Sequence, residues 1–594
     1  MRIAILKKDR CQPRKCGKEC FNYCPRVRTG DETIVISETG KPIISEELCV
    51  GCGICVKKCP FDAIMIIGLP EQLEDPVHRY GKNGFILYGL PIPQKRKVIG
   101  ILGENGIGKT TAIQILSGNL KPNLGKEKTD WEEVFKFYAG SVLQEYLKEV
   151  SLNQIKLAQK PQYVDRIPKV FKGKVIDLLE KTDERKVLKE LIEYFDIKSI
   201  LDRNIEDLSG GELQRVSIVA CLARDADFYF FDEISPYLDI HQRINSAKLI
   251  RELAVTENKA VMVVEHDLAI LDLLADIVHL AYGVQGGYGV ITHPKSVRVG
   301  INEYLRGFLR EENVRIRSSA IEFEVHAPRE HKELKALVTF EEFTKRYNKS
   351  FLLVAKGGEI KKGEVMGIVG PNAIGKSTFV KILAGIIKET TGNLKNLCKE
   401  NLKVSYKPQY LKGDQYITVK DLLKSITTKF NMSYYKTEIL RPLQLESLLD
   451  RYIPDLSGGE LQRVAIAACL SRNADLYLLD EPSAHLDVEQ RTLAIRAIRR
   501  FVENNNATAM VVDHDIYLID LLSDSLLVFE GVSAKYGEVF GPYDMREGMN
   551  KFLKGLGITF RRDEETKRPR VNKPDSRLDR MQKESGEYYY KIEK

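Results

Sequence analysis

Three kinds of short apolar run each occur twice along this chain, and each ends at a polar or charged position. "KVIGILG" and "EVMGIVG" lead into glycine-rich loops, "FYFFDE" and "LYLLDE" end on paired acids, and "VMVVE" and "AMVVD" end directly before a histidine. Runs this short and this continuous predict strands buried on both faces. Helical patterns follow the glycine-rich loops, so strand, loop and helix succeed one another as in an α/β fold.

A different pattern occupies residues 129–151. "TDWEEVFKFYAGSVLQEYLKEV" predicts two short amphipathic helices, with Trp131, Val134, Phe135 and Tyr138 on one face and Leu143, Tyr146, Leu147 and Val150 on the next, broken at Gly140-Ser141. Packing on its own domain and contact with a specific partner are both open for this hairpin. No run of 18 apolar residues occurs, and the apolar stretch in "MRIAILKKDRCQ" is too short for a signal peptide. The expected location is the cytoplasm, with no membrane partner.

The recurrence is a duplication. "LSGGELQR" stands at Leu208 and again at Leu456, 248 residues apart, and Glu233/Glu481, His266/His514 and Asn302/Asn550 keep that spacing. Tyr80/Tyr347 and Lys109/Lys376 are 267 apart, whereas Gln162 and Gln409 are 247 apart. The first half therefore carries 20 extra residues before Gln162, which is where the predicted hairpin lies.

Each half holds the parts of a nucleotide site. "GENGIGKTT" and "GPNAIGKST" match the phosphate-loop pattern in the strand–loop–helix context it needs. Asn105, Gly106, Gly108 and Thr111, and in the second loop Asn372, Gly375 and Thr378, are placed to cradle phosphates, with Lys109 and Lys376 bridging to the terminal ones. Thr110 and Ser377 are the expected Mg2+ ligands, joined by Asp232 and Asp480 through the ion's shell and by Gln162 and Gln409, which can sense the ion and the attacking water. Glu233 and Glu481 can polarise that water, and His266 and His514 can reach a γ-phosphate. Tyr80 and Tyr347 are placed to stack on adenine.

Eight of the eleven cysteines precede residue 60. Cys49-x2-Cys52-x2-Cys55-x3-Cys59-Pro60 has the bacterial ferredoxin spacing, in which three thiolates hold one cluster and the fourth reaches another. Cys11-x4-Cys16-x3-Cys20-x3-Cys24-Pro25 has longer gaps but the same Cys-Pro ending. The crossed rule gives one [4Fe-4S] cluster to Cys11, Cys16, Cys20 and Cys59 and a second to Cys24, Cys49, Cys52 and Cys55. Zinc stays open as an alternative for the irregular first group. Cys221, Cys398 and Cys469 read as buried small hydrophobes.

Composition adds little beyond this. With 594 residues, 43% hydrophobic and 29% charged, the chain suits three to five globular domains, and a net charge of +8 permits a polyanionic partner without demanding one. Residues 1–70 hold 12 Lys and Arg against 8 Asp and Glu, and residues 560–594 hold 11 against 8. The charged tail from Arg568, interrupted by Pro569 and Pro574, reads as an arm that orders on a partner.

The signature "LSGGELQR" with its companions resembles ABC-type ATPases across both halves. The resemblance implies that Ser457 and Gly459 reach across to the ATP held by Lys109, Gln162, Glu233 and His266, and that Ser209 and Gly211 reach the ATP held by Lys376, Gln409, Glu481 and His514. Asp239 and Asp487 match the family's D-loops. With the eight cysteines and the hairpin, the whole chain resembles ABC subfamily E, the RNase L inhibitor family of ribosome-recycling factors. Expected domains are a ferredoxin-like α+β domain (1–75), nucleotide-binding domain 1 (76–299, insertion about 129–151), hinge 1 (300–335), nucleotide-binding domain 2 (336–545), and hinge 2 with a basic tail (546–594).

The resemblance implies two [4Fe-4S] clusters, two ATP, two Mg2+ and a monomer with internal pseudo-twofold pairing. Implied partners are the ribosome, chiefly the small subunit with its RNA, a release factor or Pelota-type factor and, as further candidates, initiation factors. Hinge residues Arg310, Arg315, Arg317, Arg561 and Arg562 are expected to contact ribosomal RNA. Two other readings stay open here: an ATP-gated iron–sulfur electron carrier, and a soluble ATPase pair of a membrane transporter.

Overall fold

Strand Val98–Gly103 is buried at every residue because parallel neighbours flank it on both edges, Ala260–Val264 on one side and Ile277–Val284 on the other. A strand so placed has no solvent face, which is why its sequence lacks polar alternation. The computed structural model describes residues 2–68, 75–317, 320–321, 323, 335–347, 351–392, 402–409 and 416–589. Cys398 lies outside the described residues.

The sheet of the first half runs His78–Arg79, Ile86–Tyr88, Tyr288–Ile291, Ile277–Val284, Val98–Gly103, Ala260–Val264, Phe228–Asp232, Leu157–Lys160. The second half repeats that order with Phe343–Tyr347, Phe351–Ala355, Tyr536–Asp544, Ser525–Val532, Val365–Val369, Thr508–Val512, Leu476–Asp480, Val404–Lys407. In both sheets the strands ending in the paired acids and the strand ending before the histidine are parallel neighbours in direct register. Their carboxyl ends therefore deliver Asp232, Glu233 and His266, or Asp480, Glu481 and His514, to one rim beside the phosphate loop.

The insertion forms helices Trp131–Phe137 and Val142–Ser151. Val134, Leu143 and Leu147 enter the core beneath the first sheet, and the Tyr146 hydroxyl donates to the Leu116 carbonyl at 2.9 Å. The hairpin thus packs on its own domain, on the faces expected from its periodicity.

The N-terminal domain pairs Arg2–Leu6 antiparallel with Ile64–Gly68 and adds the hairpin Ile34–Ile36/Pro42–Ile44 and three short helices. Two side chains of the neighbouring domain hold it, Arg79 by an ion pair to Glu46 and Asn83 by hydrogen bonds. The Asn83 amide nitrogen donates to the carbonyls of Ala4 (2.8 Å) and Ile44 (2.9 Å), and its oxygen accepts from the Ile44 amide (2.8 Å). Asn83 is 2% exposed and lies three residues past Tyr80, so one turn carries both the docking residue and the expected adenine contact.

The C-terminal segment is not an arm. Phe560–Arg562 pairs with Pro569–Val571, helix Arg577–Ser585 follows, and Arg568 is fully buried. Its charges are matched by carboxylates distant in sequence: Arg568 and Arg570 meet Asp272, Arg562 meets Asp520, and Lys573 meets Asp276. A charged stretch looks solvated in sequence when its counter-ions lie far along the chain, 296 residues away for Asp272 and Arg568. For the same reason two of the five hinge arginines are engaged internally: Arg317 pairs with Glu489 at 3.3 Å and Arg562 with Asp520 at 3.0 Å. Arg310, Arg315 and Arg561 are exposed.

Candidate functional site

Each phosphate loop ends at a glycine in the left-handed region, Gly108 (φ 93°) and Gly375 (φ 100°), which starts the helix Lys109–Leu116 or Lys376–Leu383. A Cβ at either position would be strained and would strike Phe85 or Leu353, so only glycine lets the loop close onto the helix N-terminus. The Lys109 ammonium donates to the Gly103 carbonyl at 2.6 Å and the Glu104 carbonyl at 3.1 Å. Lys376 repeats this with Gly370 at 2.7 Å and Pro371 at 2.6 Å. Burial pushes both amines down to about 8, against the opposing pull of nearby carboxylates. A polyphosphate entering the loop would supply the anionic partner they lack.

Opposite each lysine stands a glutamate–glutamine–histidine group. The Gln162 side-chain amide donates to Glu233 Oε1 at 2.6 Å, and His266 Nε2 is 3.7 Å from the same oxygen. In the second half the distances are 2.7 Å from Gln409 to Glu481 and 3.4 Å from His514. Burial alone would raise Glu481, but the nearby His514 ring, the Gln409 hydrogen bond and the Lys376 charge override it and hold the carboxyl at about 2. Asp232, one residue back, is raised to about 6 by burial and then by the Glu233 charge. Asp480 is also raised by burial, and the Ser377 hydroxyl opposes this by bonding to it. Burial and the Lys109 charge drive His266 well below its ordinary value, so it is neutral.

Both glutamates sit at positive φ, 53° for Glu233 and 48° for Glu481. Such backbone is costly for a non-glycine residue and persists where neighbours fix it. Here Lys160, fully buried, donates to the carbonyls of Asp232 (2.9 Å) and Glu233 (2.6 Å), and Gln214 of the signature helix donates to those of Glu233 and Ile234 (both 2.9 Å). Lys407 and Gln462 do the same around Glu481. Beneath them the Glu265 carboxylate accepts amides from Ile234, Ser235, His266 and Asp267, tying the glutamate strand to the histidine strand. Sequence reasoning did not assign Lys160, Lys407, Gln214, Gln462 or Glu265. The signal that could have found them was their place inside the duplicated motifs, "KPQY" for the lysines and "LSGGELQR" for the glutamines, and for Glu265 its place at the end of "VMVVE".

The halves meet through the D-loops. Asp239 caps the helix Ile240–Thr256 and also accepts the Asn372 amide of the opposite phosphate loop at 2.8 Å, while Tyr237 packs edge-on against His485. Ser209 and Ser457 are exposed and engaged in capping boxes with Glu212 and Glu460 of their own helices, with Gly211 and Gly459 following on those helices. The sequence grouped each signature with the opposite loop, yet here the D-loop aspartate makes the cross-domain contact. Asn105 approaches His266 at 3.2 Å, Tyr80 is 41% exposed with its hydroxyl 3.4 Å from Thr111, and Tyr347 is 38% exposed. Of the other phosphate-loop residues, Thr110 and Gly106 are exposed and Thr378 half-buried.

The two loops differ at three positions, Glu104/Pro371, Gly106/Ala373 and Thr110/Ser377, of which the first changes the charge. Glu104 is raised by burial and by Glu489 and Asp487 of the opposite half, whereas Pro371 stands in its place in the second loop.

In the N-terminal domain, Cys11, Cys16, Cys20 and Cys59 line one cavity, and Cys55 has Cys49, Cys52 and Cys24 as its neighbouring thiols. These are the crossed quartets expected from the spacing. Four thiols around a shared cavity suit an iron–sulfur cluster, and among the described residues no three His, Cys, Asp or Glu converge closely enough for a single metal ion. Burial pushes Cys20 and Cys55 up to about 11, so the thiolates the quartets need would require the positive charge of bound iron. Cys221 and Cys469 are buried, as expected.

Comparison with known proteins follows the same divisions. The ABC transporter family model matches residues 93–235 and 357–484, the model of a possible Fer4-like domain in RNase L inhibitor matches 1–32, and the 4Fe-4S binding domain model matches 42–65. The chain is 45% identical to ABC transporter E family member 1 of Arabidopsis thaliana, over 99% of this chain and 98% of that one. It is 44% identical to translation initiation factor RLI1 of Saccharomyces cerevisiae, over 99% and 98%. A solved structure described as a model of ribosome-bound archaeal Pelota and ABCE1 aligns with TM-score 0.91 at 53% identity, covering 100% of this chain and 99% of that one. Among the described residues no helix is long and apolar enough to cross a membrane.

Proposed function

From the premise that this chain belongs to ABC subfamily E, the RNase L inhibitor family, we propose that it is the ATPase that splits ribosomes into subunits after termination or rescue and stays on the small subunit. It binds ATP in its ABC domains and 4Fe-4S iron–sulfur in its N-terminal domain. Its partners are the ribosome and a Pelota-type or release factor, and it works in the cytoplasm.

The observation that carries this reading is the pairing of two complete glutamate–glutamine–histidine–lysine groups in one chain, with the D-loop of the first half already bonded to the phosphate loop of the second. Glu233 and Glu481 orient the attacking water in our assignment. Gln162 and Gln409 hold those carboxylates, and His266 and His514 contact the γ-phosphate. Thr110 with Asp232 and Ser377 with Asp480 would hold Mg2+, which neutralises phosphate charge when bound. The two cysteine quartets would hold one cluster each, bracing a small domain whose own apolar core is slight.

Closure requires Ser457 and Ser209, now exposed, to seat on the opposite ATP. The turn carrying Tyr80 and Asn83 would pass that motion to the cysteine domain, which swings between the subunits. The test is subunit splitting, followed by light scattering on intact ribosomes with ATP and a Pelota-type factor. Splitting that requires Lys109, Lys376 and the cysteine domain is expected; intact ribosomes with a fully active ATPase would overturn the reading.

A further inference from the structure

Arg243 lies four residues past the D-loop Asp239 and touches three loops at once. Its Nε donates to the Leu238 carbonyl at 2.9 Å, and its Nη1 donates to Asp267 Oδ2 at 2.8 Å. The same Nη1 is 3.4 Å from the backbone oxygen of His514, in the other half. Arg491, 248 residues on, repeats the first two contacts with Leu486 at 2.8 Å and Asp515 at 3.0 Å. Asp515 and Asp267 each lie within the other's field, and Arg491 faces Asp267 and Glu265 across the boundary.

Each half thus contributes one arginine–aspartate pair to the boundary, and the pairs lie within each other's field, with Arg243 10% exposed and Asp267 2%. Buried ion pairs add little to stability on balance, so two of them at the boundary between the halves are better explained by what they position. Each aspartate directly follows a site histidine and caps the next helix. Asp267 accepts the amides of Ala269 and Ile270, and Asp515 those of Tyr517 and Leu518. Each arginine therefore steers the histidine turn of its own half through the aspartate, and Arg243 also holds the opposite turn through the His514 carbonyl. Its guanidinium fork suits this because one planar group can serve several acceptors, which an ammonium cannot do in the same geometry.

We propose that Arg243 is a positioning residue for hydrolysis at the Lys376 site, holding His514 from the opposite half. The proposal rests on the assignment of His514 to that ATP site.

The test is a double-mutant cycle in the full, cluster-loaded chain carrying Glu233→Gln, so that turnover reports the Lys376 site. Arg243→Lys, His514→Ala and their combination are compared for kcat and KM, with thermal unfolding as a check on folding. Arg243→Lys is expected to lower kcat about tenfold with KM changed less than about twofold, and to add nothing once His514 is gone. Losses that multiply in the combined variant, or an unchanged kcat in Arg243→Lys while His514→Ala is impaired, would overturn the proposal and leave the site assignment standing. Normal turnover in His514→Ala would overturn both. Should Arg243→Lys misfold, Arg243→Gln goes through the same cycle.

Discussion

Asp272 and Asp520 hold the same place in the two halves, 248 residues apart, and one C-terminal segment clasps both. Arg568 and Arg570 bind Asp272, while Arg562 and the Tyr589 hydroxyl bind Asp520. Each aspartate lies on the helix that follows a site histidine, Leu268–Leu274 or Ile516–Leu522. The hairpin Phe560–Val571 is therefore a crossbeam between the two ATP sites.

Removing one partner of the fully buried Arg568–Asp272 pair strands a charge. Arg568→Met is expected to cost about 3–5 kcal/mol, since the uncompensated carboxylate outweighs the gain in apolar contact. Arg570, still facing Asp272, moves the loss toward the lower end. Calorimetric unfolding should show it, and an unchanged profile would mean that the segment does not brace the halves.

Asn83→Ala should loosen the cysteine domain without emptying it. Three hydrogen bonds to Ala4 and Ile44 are lost in a buried place, leaving partners unsatisfied at about 1–3 kcal/mol each, though not additively. The Ile44 amide should then exchange with deuterium about tenfold faster or more, with iron content unchanged. Equal exchange rates would remove Asn83 as the pin.

The crossed quartets make a test that separates sequence neighbours. Cys59 sits in the Cys49–Pro60 run but lines the cavity of Cys11, Cys16 and Cys20. Cys59→Ser should disturb the same cluster spectrum as Cys16→Ser, while Cys24→Ser should match Cys52→Ser. Cys59→Ser grouping with Cys52→Ser would refute the crossing.

Nucleotide affinity should depend on pH in a direction set by the phosphate-loop lysines. Empty, Lys109 and Lys376 lose their protons near 8; filled, the phosphates favour the charged amine and raise that value. Affinity for ADP should be full below pH 8 and fall above it, at most about tenfold per pH unit at each site. A flat calorimetric affinity from pH 7 to 9.5 would contradict the burial of these amines.

The sites should also respond unequally. Glu104 faces Glu489 and Asp487 at the first, whereas Pro371 takes its place at the second, where Asp239 instead binds the loop amide of Asn372. Glu233→Gln and Glu481→Gln, made singly, are expected to change steady-state ATPase by different factors. Equal effects would mean that these differences are silent.

The strands, loops and acid pairs were legible because buried parallel strands leave uninterrupted apolar runs and because duplication repeats every motif. The cysteine runs were legible because cluster spacing is short-range, and their crossing because each run ends in a Cys-Pro whose thiolate reaches the other cluster. Contacts made across hundreds of residues were not: Arg568 reads as a tail charge until Asp272 is placed beside it, and Asn83 reads as an ordinary turn residue. Lys160 and Lys407 stood inside a recognised motif, but nothing local told that their ammonium groups reach the carbonyls behind the glutamates.

The central claim is that closure on two ATP molecules fixes the protein to the small ribosomal subunit. It is tested most directly by sedimenting the cluster-loaded Glu233→Gln, Glu481→Gln chain through a gradient with isolated subunits, with and without ATP. Retention on the small subunit only with ATP is the predicted result. Absence from that fraction, or equal retention without nucleotide, would contradict the account.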